Sequence, residues 1–249
     1  MRKNLIGLFA LVKYSTKKIL FSKRIIIAVL ITIFIAGVMG YVSSQNVSRL
    51  DGGANLFDML ILFFFLPVIS MIYGSSLIRD EIEDRSITQV LVSPLDRSIA
   101  YLGYYLALVI SLSLIIVWIL FTGFVVYFGN LYIDSDAVGI FLNILYLNII
   151  GVFAYSSLFL LVSVITDKSI YFGLFYAFIW EGFIGSLPGN IRKIAIKHYI
   201  RSIGSEWMSY GSIVDYDATN LSGSILVLFW FTVFMLFTGA LLFRYKEFP

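Results

Sequence analysis

The residues best suited to chemistry lie together in segment 79–98, which reads Arg-Asp-Glu-Ile-Glu-Asp-Arg-Ser-Ile-Thr-Gln-Val-Leu-Val-Ser-Pro-Leu-Asp-Arg-Ser. Charges crowd both ends around a short apolar middle, a pattern for docking and ion pairing rather than for making bonds. Ser86 followed by Gln89 is a capping box: the hydroxyl takes the Gln89 amide, and the Gln89 side chain reaches back to the Ser86 amide. The spacing predicts a short helix. Ile87, Val90 and Leu91 then fall at i, i+3 and i+4 on one face, and Pro94 stops the helix because it lacks an amide donor and disfavours helix at Ser93. Glu81, Glu83 and Asp84 stand before it, where carboxylates suit the positive end of a helix dipole. The apolar stripe needs a cover, either the chain's own bundle or a second protein.

Glu181 is the only acid deep within an apolar run, where a charge costs ~3 kcal/mol on insertion scales. It sits thirteen residues beyond Lys168, hence ~20 Å along a helix from that edge, within the breaker-rich Trp180-Glu181-Gly182-Phe183-Ile184-Gly185-Ser186-Leu187-Pro188-Gly189. It reads as a functional-site candidate, which a family resemblance would place beside an outer gate, or as an acid at the interface that is paired with Arg192 or Lys193, protonated or snorkelling. His198 is the only histidine and has no acid at motif spacing, which leaves a serine hydrolase without its base and rules out a multi-histidine metal site. With no cysteine there are no disulfides, thiolates or cysteine-bound metals, and neither a metal nor a cofactor is expected on this chain. Asn143 and Asn148 are expected to bond between helices. Tyr101, Tyr104, Tyr105 and Tyr171 are expected to form an aromatic belt at the cytoplasmic edge.

The elements that position these residues follow from composition. Apolar residues make up 60% of the chain, charged residues 13%, and mean hydropathy is +0.94, so the apolar surplus must face lipid. A net charge of +3 implies no nucleic-acid partner. A bilayer core of ~30 Å needs ~20 helical residues, and charge-free runs predict six spans, at about 25–42, 57–78, 99–128, 137–165, 170–187 and 221–243. None alternates with period two, so a β-barrel is excluded. The expected fold is a single all-α transmembrane domain over 1–249, with residues 1–24 as an amphipathic interfacial helix and a broken fifth helix followed by an external re-entrant or amphipathic segment. Seven basic residues and no acid precede the first span, too long a charged stretch for a signal peptide, so the segment is expected to be retained. With both termini in the cytoplasm, thirteen basic residues lie inside and five outside, as the positive-inside rule asks. A second amphipathic helix, about 190–203, is expected on the outer side, resting on lipid or lining the external gate.

Segment 79–98 resembles the loop after the second span in permease subunits of type-2 ABC transporters, which are mostly exporters. The matching residues are the acid Glu81, the pair Arg85-Ser86, the paired aliphatics Val90-Leu91, then Pro94 and Arg97, at the family's spacing throughout. The small-residue patch Gly74-Ser75-Ser76, the basic interfacial helix, the six spans and the length extend the likeness over most of the chain. The third span departs from it, with Tyr104 after Gly103 where the family often has lysine. The resemblance implies a permease of an ATP-driven exporter in the cell membrane, working as a dimer of permeases. The loop would be a coupling helix, with Glu81, Glu83, Arg85, Ser86, Ile87, Val90, Leu91, Pro94 and Arg97 facing a separate ATPase subunit. The chain has no G-x-x-x-x-G-K-[ST] phosphate cradle, and Leu221-Ser222-Gly223-Ser224 stops short of the ABC signature, so ATP would be used by that partner alone. The alternative is a transporter not driven by ATP, or a structural membrane subunit.

Overall fold

Apolar runs of this length become rods in the computed structural model, which describes residues 2–45, 49–84, 86–92, 95–129, 134–187, 189–214 and 216–246, with the side chains of 2–5, 49 and 89–91 outside the description. Among the described residues every regular element is helical. Helix α1 covers Arg2–Leu20 and α2 Ile25–Ser44. A continuous rod follows: α3 (Arg49–Leu56), a π-helical stretch Phe57–Phe65, and α4 (Leu66–Glu83). Then come the short α5 (Ile87–Val92), the long α6 (Arg97–Phe128) and α7 (Ser135–Ile165). Beyond these lie α8 (Ser169–Leu174), a second π-helical stretch Phe175–Phe183, 3-10 turns at Ile184–Ser186 and Gly189–Ile194, α9 (Ile196–Trp207) and α10 (Leu221–Tyr245).

Five of these are long and apolar enough to cross a bilayer: Ile25–Ser44, Leu50–Glu83, Arg97–Phe128, Ser135–Ile165 and Leu221–Tyr245. The expected fifth span is not a regular helix. It leaves α geometry after Leu174, and the amide of Ile184 bonds back to the carbonyl of Ile179, an i→i+5 pattern. The amide of Leu66 does the same to Ile61 at the end of the first π stretch. Such stretches are rare and concentrate at functional sites.

Hydrogen bonds across the bundle define two ends. At one, Lys246 Nζ donates to the Val164 carbonyl (2.5 Å), Arg79 Nη1 to Asp167 (2.5 Å) and Arg24 Nη1 to Asp80 (2.5 Å). At the other, the Ser43 hydroxyl donates to the Tyr127 carbonyl (2.9 Å), the Tyr210 hydroxyl to Asp136 (2.8 Å) and the Gly211 amide to Asp51 (3.0 Å). The α1–α2 junction and the end of α10 share the first end. Segment 169–186 starts on that side, where the Ser169 hydroxyl reaches the Ser75 carbonyl (2.7 Å).

Helices α4, α6 and α7 make the core, while α2 and α10 ride outside with Ile33, Phe34, Trp230 and Phe234 exposed. Lipid offers no hydrophobic drive for helix association, so small residues must let rods approach closely. A β-carbon on Gly74 of α4 would stand 2.8 Å from the Phe159 β-carbon of α7, and one on Gly151 would meet Leu66 at 2.4 Å. Tyr101 and Tyr104 correct the aromatic-belt expectation: both are fully buried beside Phe243 of α10, and only Tyr171 of that group is largely exposed. Asn143 bonds between elements as expected, donating to the Trp207 carbonyl (2.8 Å), whereas Asn148 donates to Ile144 of its own helix (2.8 Å).

Candidate functional site

Helix α4 continues to Glu83 with Asp84 as its C-cap, so the acids of segment 79–98 close one helix rather than open the next. That corrects the expectation drawn from the dipole: carboxylates at a helix carboxyl end face its negative pole and need cations. The chain supplies them from far away in sequence. Lys18 near the end of α1 donates to both Glu81 Oε1 (3.0 Å) and Asp84 Oδ2 (3.0 Å). Arg24 grips Asp80 through two nitrogens (2.5 and 2.8 Å), and Arg79 bridges Glu83 (3.0 Å) and Asp167 (2.5 Å).

Glu81 is the centre of this network, with only 1% of its surface exposed. The Ser86 hydroxyl also donates to its carboxylate. Ser86 thus turns back toward α4 at the start of α5, and the Gln89 half of the expected capping box lies outside the described residues. Burial pulls the Lys18 ammonium down, but its bonds to Asp84 and Glu81 outweigh that and hold it above the ordinary lysine value. A raised value keeps the Lys18 ammonium charged at physiological pH, and the stability that its shift adds is complete below about pH 10.4 and is lost only in stronger alkali.

Apolar contacts fix the same junction. Gly103 at the start of α6 lets α1 lie close, since a β-carbon there would stand 3.0 Å from Leu11 and 3.1 Å from Leu8. Leu95, just after α5, comes within 3.4 Å of the β-position of Gly7 in α1. The loop is therefore held along the flank of α1.

Of the other residues singled out in the sequence, Ile87 is buried in this chain's own core at 1% exposure and offers no free face. Val92 at the end of α5 is 86% exposed. Val90 and Leu91 lie in the helical backbone of α5, their side chains outside the description, as are Arg85 and Pro94. Glu83 is exposed on α4, and Arg97 donates to the Arg244 carbonyl (3.3 Å), tying the start of α6 to the end of α10. Lys18 and Arg24 were the residues sequence reasoning missed, although four acids closing a span at the depth of a basic interfacial helix were the signal for them.

Glu181 sits at the other end, 1% exposed, and pairs with neither Arg192 nor Lys193. Its carboxylate accepts the first two amides of α9, Ile196 (2.9 Å) and Lys197 (3.1 Å), and the Tyr176 hydroxyl (2.8 Å). It thus caps α9 from a distance, where the dipole favours an anion. Arg192 pairs instead with Asp217. Of the expected amphipathic segment 190–203, Ile196, Ile200 and Ile203 in α9 are buried against the bundle, whereas Ile191 and Ile194 in the preceding turn are exposed. Arg201 extends from α9 to the buried Asp58 of the first π stretch (3.3 Å), with its guanidinium 4.6 Å from the Phe63 ring centre. Asp58 and Arg201 were legible in the sequence only as outer charges. Burial pushes the Lys197 ammonium down, with Arg201 adding to it; burial also lowers His198, helped by Arg192 and Lys193. Among the described residues no three acids or histidines gather as a metal would need.

Compared with known families, residues 11–184 match the family described as ABC-2 family transporter protein, a stretch from within α1 to the end of the second π segment. No curated protein matches the chain.

The ion-pair network yields a stability cycle. Lys18→Met strands the buried Glu81 carboxylate and should destabilise the fold by about 2 kcal/mol, whereas Lys18→Met with Glu81→Gln should recover most of that loss. Thermal melting of the single and double variants in one detergent measures it, and additive losses would show that the pair is not coupled.

Proposed function

The chain belongs to the ABC-2 family of transporter membrane proteins, and on that premise we propose that it is the permease subunit of an ATP-driven exporter, coupled to a separate ATPase through segment 79–98. In this reading two permease copies enclose the pathway. Segment 169–186 serves as the broken fifth of six crossings, and both termini face the cytoplasm of a cell-membrane protein. Support for the topology comes from the shared end of the α1–α2 junction and α10, and from the excess of basic residues there.

The observation that carries the coupling role is the setting of α5. It is a single short helix outside the apolar rods, anchored inward by Ile87, tied by Glu81 and Ser86 to α4 and α1, and presenting Val92 outward. A force applied to α5 passes through Ser86, Glu81 and Lys18 into both α4 and the interfacial helix. The division of labour is then Ile87 for anchoring and the far side of α5 for docking, with Arg97 steadying the start of α6. The partner ATPase binds and hydrolyses the nucleotide.

At the opposite end, Glu181 and Asp58 hold α9 over the outer mouth. Each carboxylate projects from a π-helical stretch, so a change of register in either would withdraw it from α9. Glu181 is the gate residue of this reading, and Asp58 its counterpart through Arg201.

Two measurements test these roles. Val92→Asp should leave the melting temperature of the isolated permease unchanged while abolishing retention of the ATPase in a pull-down, because an exposed apolar contact of ~1.5–3 kcal/mol is replaced by a charge. Ile87→Asp should do the reverse first, lowering the melting temperature by burying a charge. Full ATPase retention by Val92→Asp would reject the docking face. For the outer end, the chain has no cysteine of its own, so Ile200→Cys reports on α9 alone. That thiol should be shielded in the parent and should react at least about tenfold faster once Glu181→Ala removes the acceptor of two helix amides and the Tyr176 hydroxyl, a loss of ~1–2 kcal/mol. Unchanged reactivity would leave α9 held without Glu181.

A further inference from the structure

A hollow of about 820 Å³ opens at the inner end, between the end of α1, the turn at 21–24 and the last turn of α4. Its depth in the bilayer follows from its neighbours. The apolar α2 begins at Ile25, immediately after the turn, and Phe21 on the rim is 82% exposed, so the rim lies where acyl chains give way to headgroups.

Four cations line it, Lys17, Lys18, Lys23 and Arg24, with three carboxylates, Asp80, Glu83 and Asp84. Beyond the lining, Glu81 bonds Lys18, and Arg79 bonds Glu83. The charges are segregated. Lys18 and Arg24 are spent on Glu81, Asp84 and Asp80, which leaves Lys17 and Lys23 on the α1–α2 side with no side-chain partner among the described residues. On the α4 side Asp84 and Glu83 are more than half exposed, and each is held by a cation at one oxygen only. Two lysines without a side-chain partner on one wall, and two carboxylates each with one oxygen outside its ion pair on the other, are complementary to a zwitterion rather than to an anion.

We propose that this hollow binds the headgroup of a phospholipid carrying a phosphate and a primary ammonium, the phosphate on Lys17 and Lys23 and the ammonium on Glu83 and Asp84. A primary ammonium brings three N–H donors to carboxylate oxygens with room to accept them. A quaternary ammonium has none to give. An acidic headgroup without an amine would satisfy the lysines but would face the carboxylates with like charge. Because Glu81 and Asp84 share Lys18, an occupied hollow would bear on the same network that holds the loop.

Native mass spectrometry of the purified full chain tests this by lipid retention, without any transport assay. The probes are lipids of matched acyl chains with phosphoethanolamine, phosphocholine or phosphoglycerol headgroups, together with water-soluble phosphoethanolamine. One phosphoethanolamine lipid per chain is expected, held about tenfold more tightly than the other two lipids and the soluble compound. Lys17→Ala with Lys23→Ala, which breaks no ion pair among the described residues, should weaken that binding about tenfold. Glu83→Gln should shift the preference toward phosphoglycerol. Equal or tighter retention of the phosphoglycerol lipid by the unaltered chain would mean a basic membrane surface only. Equal retention of phosphocholine, equal binding of the soluble compound, or an unaffected double lysine variant would each overturn the site.

Discussion

The carboxyl end of α4 points its negative pole at Asp80, Glu81, Glu83 and Asp84, and Lys18 of α1 and Arg24 just beyond it answer that charge. A helix dipole and a row of carboxylates repel at this end, so without Lys18, Arg24 and Arg79 the last turn of α4 would fray and α5 would lose its base. The buried Glu81 sharpens the requirement, since an unpartnered carboxylate there costs far more than an exposed pair returns. Everything at this end is arranged to meet it, from Gly103, which lets α1 approach, to Leu95, which seats the loop on α1.

The opposite end uses the same electrostatics with the opposite sign. Glu181 stands at the amino end of α9, where a carboxylate and a helix dipole attract, and it is bonded to amides rather than to a cation. One buried acid thus fastens α9 to the second π stretch, while Asp58 fastens it through Arg201 to the first. The two ends differ in what their acids do. Those of α4 recruit a separate helix by ion pairs, and those near α9 hold a helix already packed by Ile196, Ile200 and Ile203.

Much of the fold was legible because apolar run length is a direct reading of bilayer thickness, and five rods stand where such runs predict them. Segment 169–186 was legible as broken, from Glu181, Gly182 and Gly185, but its π register was not, since hydropathy carries no information about i→i+5 bonding. The loop was the reverse. Its short helix could be read from spacing and Glu81 was marked by the family resemblance, whereas the inward turn of Ile87 and the bond from Ser86 back to Glu81 could not, because both depend on how α5 folds against the bundle. The acids were read as standing before α5 rather than closing α4, because α4 runs on past the point where charges begin, held there by partners distant in sequence. Glu181 was read as a charge seeking a cation. It found backbone amides, a partner that leaves no mark in the sequence.

The claim that α1 fixes the loop through Lys18 can be tested as a distance. With no native cysteine, spin labels at Lys13→Cys and Val92→Cys report only on α1 and α5, both sites being exposed. Pulsed electron resonance of the otherwise unaltered chain in lipid nanodiscs should give one narrow distance distribution, broadening markedly when Lys18→Met is added and narrowing again with Glu81→Gln. A distribution that stays narrow in Lys18→Met would contradict the account, since the loop would then be held by something other than the ion pair at its root.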